Sequence, residues 1–264
     1  MSRDLDEPLA DFQVDSLRVV VHRDRQTLGE SAARGVAESI AARQASSGLA
    51  RVIFAAAPSQ NEFLDALVGS SVIDWSKVVG YHMDEYLGLA ADQPASFRRY
   101  LREHLFDRVG LSGERLRLIP GEQADRPLRT CWAYEEVLRA GPADLVCAGI
   151  GENGHLAFND PPVADFLDPL LVKVVRLDHA CRVQQVHDGC FSHLEQVPTH
   201  AYTLTIPALM APPIVSLCVP GLRKAEAVRR TLQGPIDESC PASILRRHPG
   251  AILHLDRDSA RLVL

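Results

Sequence analysis

Residues 149–162, with the sequence GIGENGHLAFNDPP, combine a histidine, an amide and an acid in one glycine-rich loop. His155 and Asp160 are near enough in sequence to meet across such a loop. A carboxylate beside a histidine fixes its tautomer and orients its ring, and this pair is the basic unit of acid–base catalysis. The alternative is a histidine that only fastens the loop through a hydrogen bond. Glycines also allow a ligand to approach the backbone closely, which makes Gly151 a candidate binding position.

Two adjacent acids, Asp84 and Glu85, follow an apolar run within YHMDEYLGL, residues 81–89. Successive side chains of an extended chain point in opposite directions, so one acid can face a crevice while the other holds the loop. A partly desolvated carboxylate at a strand end can serve as a general base. A solvated acidic turn is the alternative. Both acids are therefore candidate site residues.

Two further segments have features that suit an anion. In PSQNEFLDAL, residues 58–67, Ser59 stands where a helix start exposes free backbone N–H groups, although its spacing from Glu62 favours a capping box. Arg223 and Lys224 begin a helical pattern, where the helix dipole disfavours cations unless an anion joins them. That position indicates a phosphate or carboxylate nearby, with a surface pair of basic residues as the alternative.

Alternating strand and helix patterns must position these loops. Most of the apolar runs are continuous rather than alternating, as strands buried on both faces of a parallel sheet require. Amphipathic patterns between them predict helices. The predicted fold class is α/β: a doubly wound, mostly parallel sheet of about seven strands with helices on both faces, similar to a Rossmann fold. In such sheets ligands bind at the carboxyl ends of the strands. The predicted strands are 17–21, 51–57, 78–83, 116–120, 144–151, 214–220 and 251–256, and the main predicted helices are 25–45, 96–110 and 222–234.

The composition excludes several functional classes. The net charge is −6, from 28 Lys and Arg against 34 Asp and Glu, so no overall positive field attracts nucleic acid or anionic lipid. The six cysteines lack CxxC spacing, which predicts reduced thiols and no metal site. The polar opening, residues 1–16, lacks an apolar signal region, and no run approaches 18 apolar residues. We expect a cytoplasmic protein without metal or other cofactor that contacts neither nucleic acid nor membrane.

No low-complexity linker, internal repeat or shift in composition marks a domain boundary in the 264 residues. The sequence therefore predicts one domain over residues 1–264. Its least regular part is the proline-rich stretch near 156–212, which we interpret as a lid beside the site. A homo-oligomer is compatible with these patterns.

Two motifs in the right order, MDEYLGL and GIGENGHLAFNDPP, resemble those of the glucosamine-6-phosphate deaminase (isomerase) family. VPTHAYTLTIPALM, PGLRKAEAV and CPASILRRHPGAI support the resemblance, which runs from about residue 50 to 256. The sugar-phosphate lactonases that share this fold typically carry Asp-Glu-Arg and Gly-His-Thr-Ala-Ser instead. The resemblance implies a metal-free enzyme of amino sugar metabolism, in N-acetylglucosamine catabolism, classified as an isomerase and hydrolase, acting on a small amino-sugar phosphate.

The resemblance also implies roles for individual residues. His155 matches the family's acid–base residue for ring opening, and Asp84 matches the base that moves a proton between carbons 2 and 1. Asp160 stands where the family usually has a glutamate that orients the histidine. Asn153 stands where many members have aspartate and others asparagine. Gly151 and the remaining acid of the pair are expected to contact substrate.

The departures from the family concern recognition of phosphate. The family's Gly-Gly-Thr-Pro turn is here APSQ, which keeps a hydroxyl in Ser59 but replaces the glycines by Ala57 and Pro58. His187 stands where the family presents an arginine, whereas Lys224 matches its phosphate-binding lysine. Losing a bidentate guanidinium and a backbone donor weakens phosphate binding, since each charge-assisted hydrogen bond contributes about 1.5–3 kcal/mol.

Three hypotheses follow from the sequence. The first is a glucosamine-6-phosphate deaminase that releases ammonia and forms a ketose 6-phosphate. The second keeps this chemistry for a different amino sugar or sugar phosphate. The third is a regulator that binds a sugar phosphate without turnover, and the presence of both Asp84 and His155 argues against it because binding requires neither.

Overall fold

The computed structural model describes residues 7–264 as an α/β structure with two β-sheets. Residues 1–6 lie outside the described residues. The expectation that the polar opening lacks a signal region rests partly on them. The strands are β1 (Ala10–Val14), β2 (Leu17–His22), β3 (Ala50–Phe54), β4 (Val78–His82), β5 (Asp84–Tyr86), β6 (Leu116–Arg117), β7 (Leu145–Ala148), β8 (Val172–Arg176), β9 (His200–Leu204), β10 (Ile214–Val219) and β11 (Ala251–Asp256). The α-helices are α1 (Arg25–Ser47), α2 (Asn61–Val68), α3 (Phe97–Leu101), α4 (Pro127–Ala140), α5 (His179–His187), α6 (Ile206–Met210) and α7 (Ala225–Gln233).

The main sheet has eight strands in the order β1-β2-β11-β10-β7-β3-β4-β6. All seven apolar runs form strands of this sheet, and their pairings are parallel. The eighth strand, β1, pairs antiparallel with β2 at one edge. Its residues alternate between half-buried and exposed, as expected for an edge strand with one face in water. The prediction of a mostly parallel doubly wound sheet is confirmed, with one strand more than expected.

Helices cover both faces of this sheet, so alternate strand residues enter two separate hydrophobic clusters. In β3, for example, Ile53 belongs to one cluster, and Val52 and Phe54 to the other. α1 has a well-defined start and end: the side chain of Asp24 accepts a hydrogen bond from the backbone N–H of Thr27, and Gly48 ends the helix in the left-handed conformation. Among the helices that the structure describes, none is both long enough and apolar enough to cross a membrane.

The second sheet has three strands in the order β5-β9-β8, and two of them, β8 and β9, lie within the segment expected to be irregular. β9 pairs antiparallel with both neighbours, and β5 brings Asp84 opposite Thr203. Residues 156–212 therefore contain regular elements, and their prolines fall between these elements except Pro207, which lies in the first turn of α6. Within this segment α5 covers the main sheet's carboxyl edge and forms one wall of the cavity described below.

Two buried histidines predict a loss of stability in mild acid. Burial lowers the pKa of His82 and of His254 to about 3. The unfolded chain takes up these protons near pH 6.5, before the folded chain does. The stability that these two histidines contribute is therefore complete above pH 6.5 and falls as pH decreases toward 3, by at most about 1.4 kcal/mol per pH unit for each histidine.

We expect the urea midpoint of the wild type to decrease when the pH is lowered from 7.5 to 5, and we expect His254→Gln to make that decrease smaller. His193→Gln, at an exposed position, is the control and should behave as the wild type does. Equal pH sensitivity in all three proteins would contradict this account.

Candidate active site

A cleft lies at the carboxyl ends of the central strands, where the order of the strands reverses between β3 and β7. Its volume is about 610 Å³, including the space at its open mouth. Ligands of doubly wound sheets bind at this kind of switch point. Its lining includes residues 55–60 after β3, Met83 and Asp84 after β4, residues 149–151 after β7, and Lys224 after β10. The loops selected from the sequence therefore converge on one cavity.

Asp84 lies at the start of β5, with its side chain at the wall of this cavity and its surface 8% exposed. Burial, with a smaller contribution from the neighbouring charge of Glu85, raises the pKa of Asp84 well above its usual range. A carboxylate in this state is a stronger base than one in water. Its position and basicity suit removal of a proton from carbon.

Glu85 points away from the cavity and is fully buried. Its carboxylate accepts hydrogen bonds from the hydroxyl of Ser96 at 2.8 Å, and from the backbone and guanidinium of Arg98 at 3.1 Å. The two acids therefore point in opposite directions, as period two requires. Glu85 fastens the start of α3, and the expected contact between Glu85 and substrate finds no support in the structure.

His155, Asp160 and Asn153 form one connected group in the loop after β7. Nδ1 of His155 lies 2.9 Å from Oδ1 of Asp160, which also accepts a hydrogen bond from Nδ2 of Asn153 at 2.9 Å. Burial opposes ionisation of Asp160, but its contacts with His155 and Asn153 outweigh it and lower the pKa of the carboxyl. His155 lines the cavity, whereas the other two lie behind it. An ionised acid thus supports a histidine that faces the cavity, the arrangement used for proton transfer.

Gly151 makes room for that histidine. A Cβ at this position would lie 2.2–2.3 Å from three atoms of the His155 ring, closer than any side chain tolerates. The backbone N–H of Gly151 also donates to the carbonyl of His155 at 2.9 Å. Gly151 lines the cavity as expected for a ligand-binding position, and its lack of a side chain is what allows the imidazole to stand there.

The capping box proposed for Ser59 and Glu62 does not form. Ser59 lies in a short 3-10 turn over Pro58–Gln60, and α2 begins after it without a side-chain cap. The carboxylate of Glu62 instead pairs with Arg25 at 2.7 Å. Ser59 faces the cavity, where its hydroxyl accepts a hydrogen bond from Nε2 of Gln60 at 3.1 Å. Its hydroxyl is therefore placed to contact a ligand.

Lys224 and Arg223 lie just before α7 and already have carboxylates as neighbours. The guanidinium of Arg223 lies 3.1 Å from Asp188 and 3.2 Å from Glu152. Lys224 is buried at the cavity wall, and burial lowers its pKa although Asp188 and Glu152 oppose that shift. The anion expected beside these two cations is thus supplied, at least in part, by the protein itself.

His187 is the last residue of α5 and lies outside the cavity lining, with its side chain 48% exposed. Its Nδ1 is 3.9 Å from the carboxylate of Glu152. Arg182, on the same helix, donates to the backbone carbonyls of Leu194 and Val197 and so fastens the segment after α5. Neither side chain occupies the place of an arginine directed at a phosphate inside the cavity.

One face of α5 contributes cavity residues that the sequence analysis did not select. The side-chain amide of a glutamine is a weak functional signal by itself. Spacings of three and four residues, however, place the polar residues of α5 on one helix face. Gln185 accepts a hydrogen bond from the hydroxyl of Tyr86 at 2.7 Å, and Gln184 accepts one from the backbone of Glu152 at 2.9 Å. The residues of this face that line the cavity are Gln184, Gln185 and Asp188. Cys181 precedes them in the first turn of α5 and lies outside the lining.

Comparison with known proteins agrees with this arrangement. A family model described as glucosamine-6-phosphate isomerases/6-phosphogluconolactonase matches residues 23–253. The glucosamine-6-phosphate deaminase of Listeria monocytogenes serotype 4a (strain HCC23) is 36% identical over 217 residues, covering 82% of this chain and 89% of that protein. The glucosamine-6-phosphate deaminase of Alkaliphilus metalliredigens (strain QYMF) is 35% identical over 192 residues, which cover 72% of this chain and 77% of the relative.

Solved structures show the same fold. A monomeric glucosamine-6-phosphate deaminase superimposes with a TM-score of 0.85 at 28% identity, covering 92% of this chain and 99% of the other. A 6-phosphogluconolactonase from Trypanosoma brucei reaches 0.76 at 17% identity, covering 97% and 100%, and shares the fold alone. The classification as a hydrolase expected from the sequence is wrong, because the relatives at 35–36% identity are deaminases, whereas the lactonase structure at 17% identity shares the fold alone.

Proposed function

Since this chain belongs to the family of glucosamine-6-phosphate isomerases and 6-phosphogluconolactonases, we propose that it is a glucosamine-6-phosphate deaminase. The observation that carries the proposal is that Asp84 and His155 line the same cavity, with Lys224 at its wall. A base of raised pKa and an acid-supported histidine serve two different proton transfers on one small substrate. Lys224 supplies a charge for a phosphate.

The proposed reaction has two stages. His155, oriented by Asp160, transfers the protons that open the pyranose ring and expose the aldehyde at carbon 1. Asp84 then removes the proton from carbon 2, which the neighbouring carbonyl makes acidic, and returns a proton to carbon 1. This leaves an imine at carbon 2, and addition of water there releases ammonia and the ketose 6-phosphate. Asn153 and Gly151 hold the imidazole in place during these steps.

Release of ammonia from glucosamine 6-phosphate tests this proposal directly. We expect purified protein to release ammonia without added metal, and prior treatment with a chelator to leave the rate unchanged, because the proposed groups are carboxylates and an imidazole. A rate abolished by the chelator and restored by a divalent ion would contradict the mechanism. The absence of ammonia release from every 2-amino sugar phosphate tested would contradict the function.

A second candidate function keeps this chemistry for an amino sugar with a different distal group. The observation that favours it is the presence of Asp188 and Glu152 beside Arg223 and Lys224, because two carboxylates offset two cations. A phosphate dianion gains least where local charge is already balanced. A ratio of kcat/KM near one for phosphorylated and free amino sugars would favour this candidate, and a ratio of 100 or more, as an order-of-magnitude threshold, would exclude it. A role in binding alone has no comparable observation in its favour.

Removal of Lys224 should weaken recognition of the phosphorylated substrate. We expect Lys224→Met to raise KM for the phosphorylated amino sugar by about 10–100-fold, since a charge-assisted hydrogen bond contributes about 1.5–3 kcal/mol. The matched control is Arg223→Met, which removes the same charge from a half-exposed side chain outside the cavity lining. Equal effects of the two variants, or an equal rise in KM for the free sugar, would assign Lys224 another role.

Three further properties belong to the proposal. We propose that residues 1–264 act as one domain, because the loops that carry Asp84, His155 and Lys224 line one cavity. The cytoplasm is the proposed location, as it is the compartment in which six free thiols persist. The expectation of a homo-oligomer gains no support from the structural neighbour that is described as monomeric.

A further inference from the structure

Three buried groups of different chemistry meet behind the cavity. A ring nitrogen of His155, a carboxylate oxygen of Asp160 and Sγ of Cys181 all lie within 4.8 Å of one another. The three residues are 8%, 0% and 1% exposed. Their separation along the chain hid this group from sequence analysis, which predicted no metal site. Imidazole, carboxylate and thiolate are the three ligand types that Zn²⁺ accepts.

A second observation also points to a ligand at this place. Among residues 7–264, Nδ1 of His155 has no partner with the geometry of a hydrogen bond, although it lies 2.9 Å from Asp160. The two atoms are close but do not meet the geometry of a hydrogen bond, so the lone pair or proton on this buried nitrogen is incompletely satisfied. A buried unsatisfied nitrogen favours any species that can complete its bonding.

The surroundings hold the three groups in position. Asp160 accepts a hydrogen bond from Nδ2 of Asn153 at 2.9 Å and from the backbone of Asp178 at 3.4 Å. Asp178 is also the cap of α5, which carries Cys181 in its first turn. Such outer contacts orient metal ligands and raise affinity. Donors around Zn²⁺ lie about 3–4 Å apart, given bonds of about 2.0–2.3 Å, so small side-chain adjustments complete the site.

We propose that His155, Asp160 and Cys181 form an inhibitory site for a divalent transition-metal ion such as Zn²⁺. Because His155 lines the cavity, the ion enters the site from the cavity. The fourth coordination position of the ion then faces the cavity. The bound ion occupies the imidazole nitrogen that faces Asp160 and thereby separates the proton-transferring pair. Inhibition of turnover rests on the proposed function, whereas binding of the ion does not.

The test uses the whole protein, freed of metal by a chelator that is then removed. Calorimetry with ZnCl₂ alone should show one tight site, and Co²⁺ in its place should give the near-ultraviolet band of a thiolate–cobalt bond. Zn²⁺ should inhibit ammonia release, and a chelator should restore it. Cys181→Ser should keep basal activity, lose the cobalt band and weaken Zn²⁺ binding and inhibition at least 10-fold.

Cys190→Ser is the matched control, because Cys190 carries a thiol at the cavity wall but lies outside the three-residue group. It should bind Zn²⁺ as the wild type does. Cys181→Ala repeats the test if the serine variant unfolds at a lower temperature. Unchanged Zn²⁺ affinity in a folded Cys181 variant, or loss of affinity in Cys190→Ser, overturns the proposal. A protein without deaminase activity that still shows the cobalt band refutes the proposed function and leaves the metal site standing.

Discussion

Asp84→Asn is expected to lower kcat for ammonia release by about 10²–10⁴-fold, the usual contribution of a positioned general base. The amide keeps the shape of the side chain but cannot accept a proton from carbon 2. We expect binding of a non-reacting sugar phosphate to change little, because the substitution leaves Lys224 and Ser59 in place. Steady-state kinetics together with calorimetric titration separate these two effects.

The same variant should also keep or gain stability. The pKa of Asp84 is raised by burial, so its ionised form destabilises the folded protein at neutral pH, and a neutral amide removes this cost. Glu85→Gln is the informative contrast, because it removes the carboxylate that pairs with buried Arg98. This variant should lower Tm and should reduce kcat less than Asp84→Asn does. An Asp84→Asn enzyme with kcat near that of the wild type would show that Asp84 is not the base.

His155→Gln is expected to reduce kcat by at least about 100-fold, since glutamine keeps a polar side chain that cannot transfer protons. If its main role is ring opening, a substrate analogue supplied in the open-chain form should recover part of the rate. Asp160→Asn should have a smaller effect in the same direction, because it leaves the imidazole but removes the carboxylate 2.9 Å away.

His187→Gln is the control for this prediction, because His187 is half-exposed and lies outside the cavity lining. It should retain nearly the full rate. Two outcomes would speak against ring opening by His155: no recovery with the open-chain analogue, or equal losses in the His155 and His187 variants. The first would move His155 to a later proton transfer, and the second would indicate a general effect on the fold.

Much of the fold followed from the sequence because buried parallel strands need uninterrupted apolar runs. All seven such runs became strands of the main sheet, and each candidate loop lies at the carboxyl end of one of them. Strand β1 was missed because an edge strand is half solvated and its alternation is weak over five residues. The three-residue β5 has too few residues for any pattern, and it becomes a strand only because β9 pairs with it.

The candidate pair Asp84 and His155 was also accessible from the sequence, since both follow strand ends and the rule that ligands bind there is topological. The strand pattern did not reveal which of the two adjacent acids faces the cavity. An alternation of period two fixes opposite directions for the two side chains but does not say which direction is inward. The structure decides it through Arg98 and the start of α3, which bind Glu85 and leave Asp84 facing the cavity.

The sequence by itself thus determined the seven parallel strands of the main sheet, the loops that carry chemistry and the family to which they belong. Only the tertiary structure decided what surrounds each charge. The carboxylates beside Lys224, the amide-rich face of α5 and the meeting of Cys181 with Asp160 all join residues from separate elements. Local patterns report which face of an element is apolar, whereas contacts between elements depend on how those faces pack, and packing brings together residues far apart in the chain.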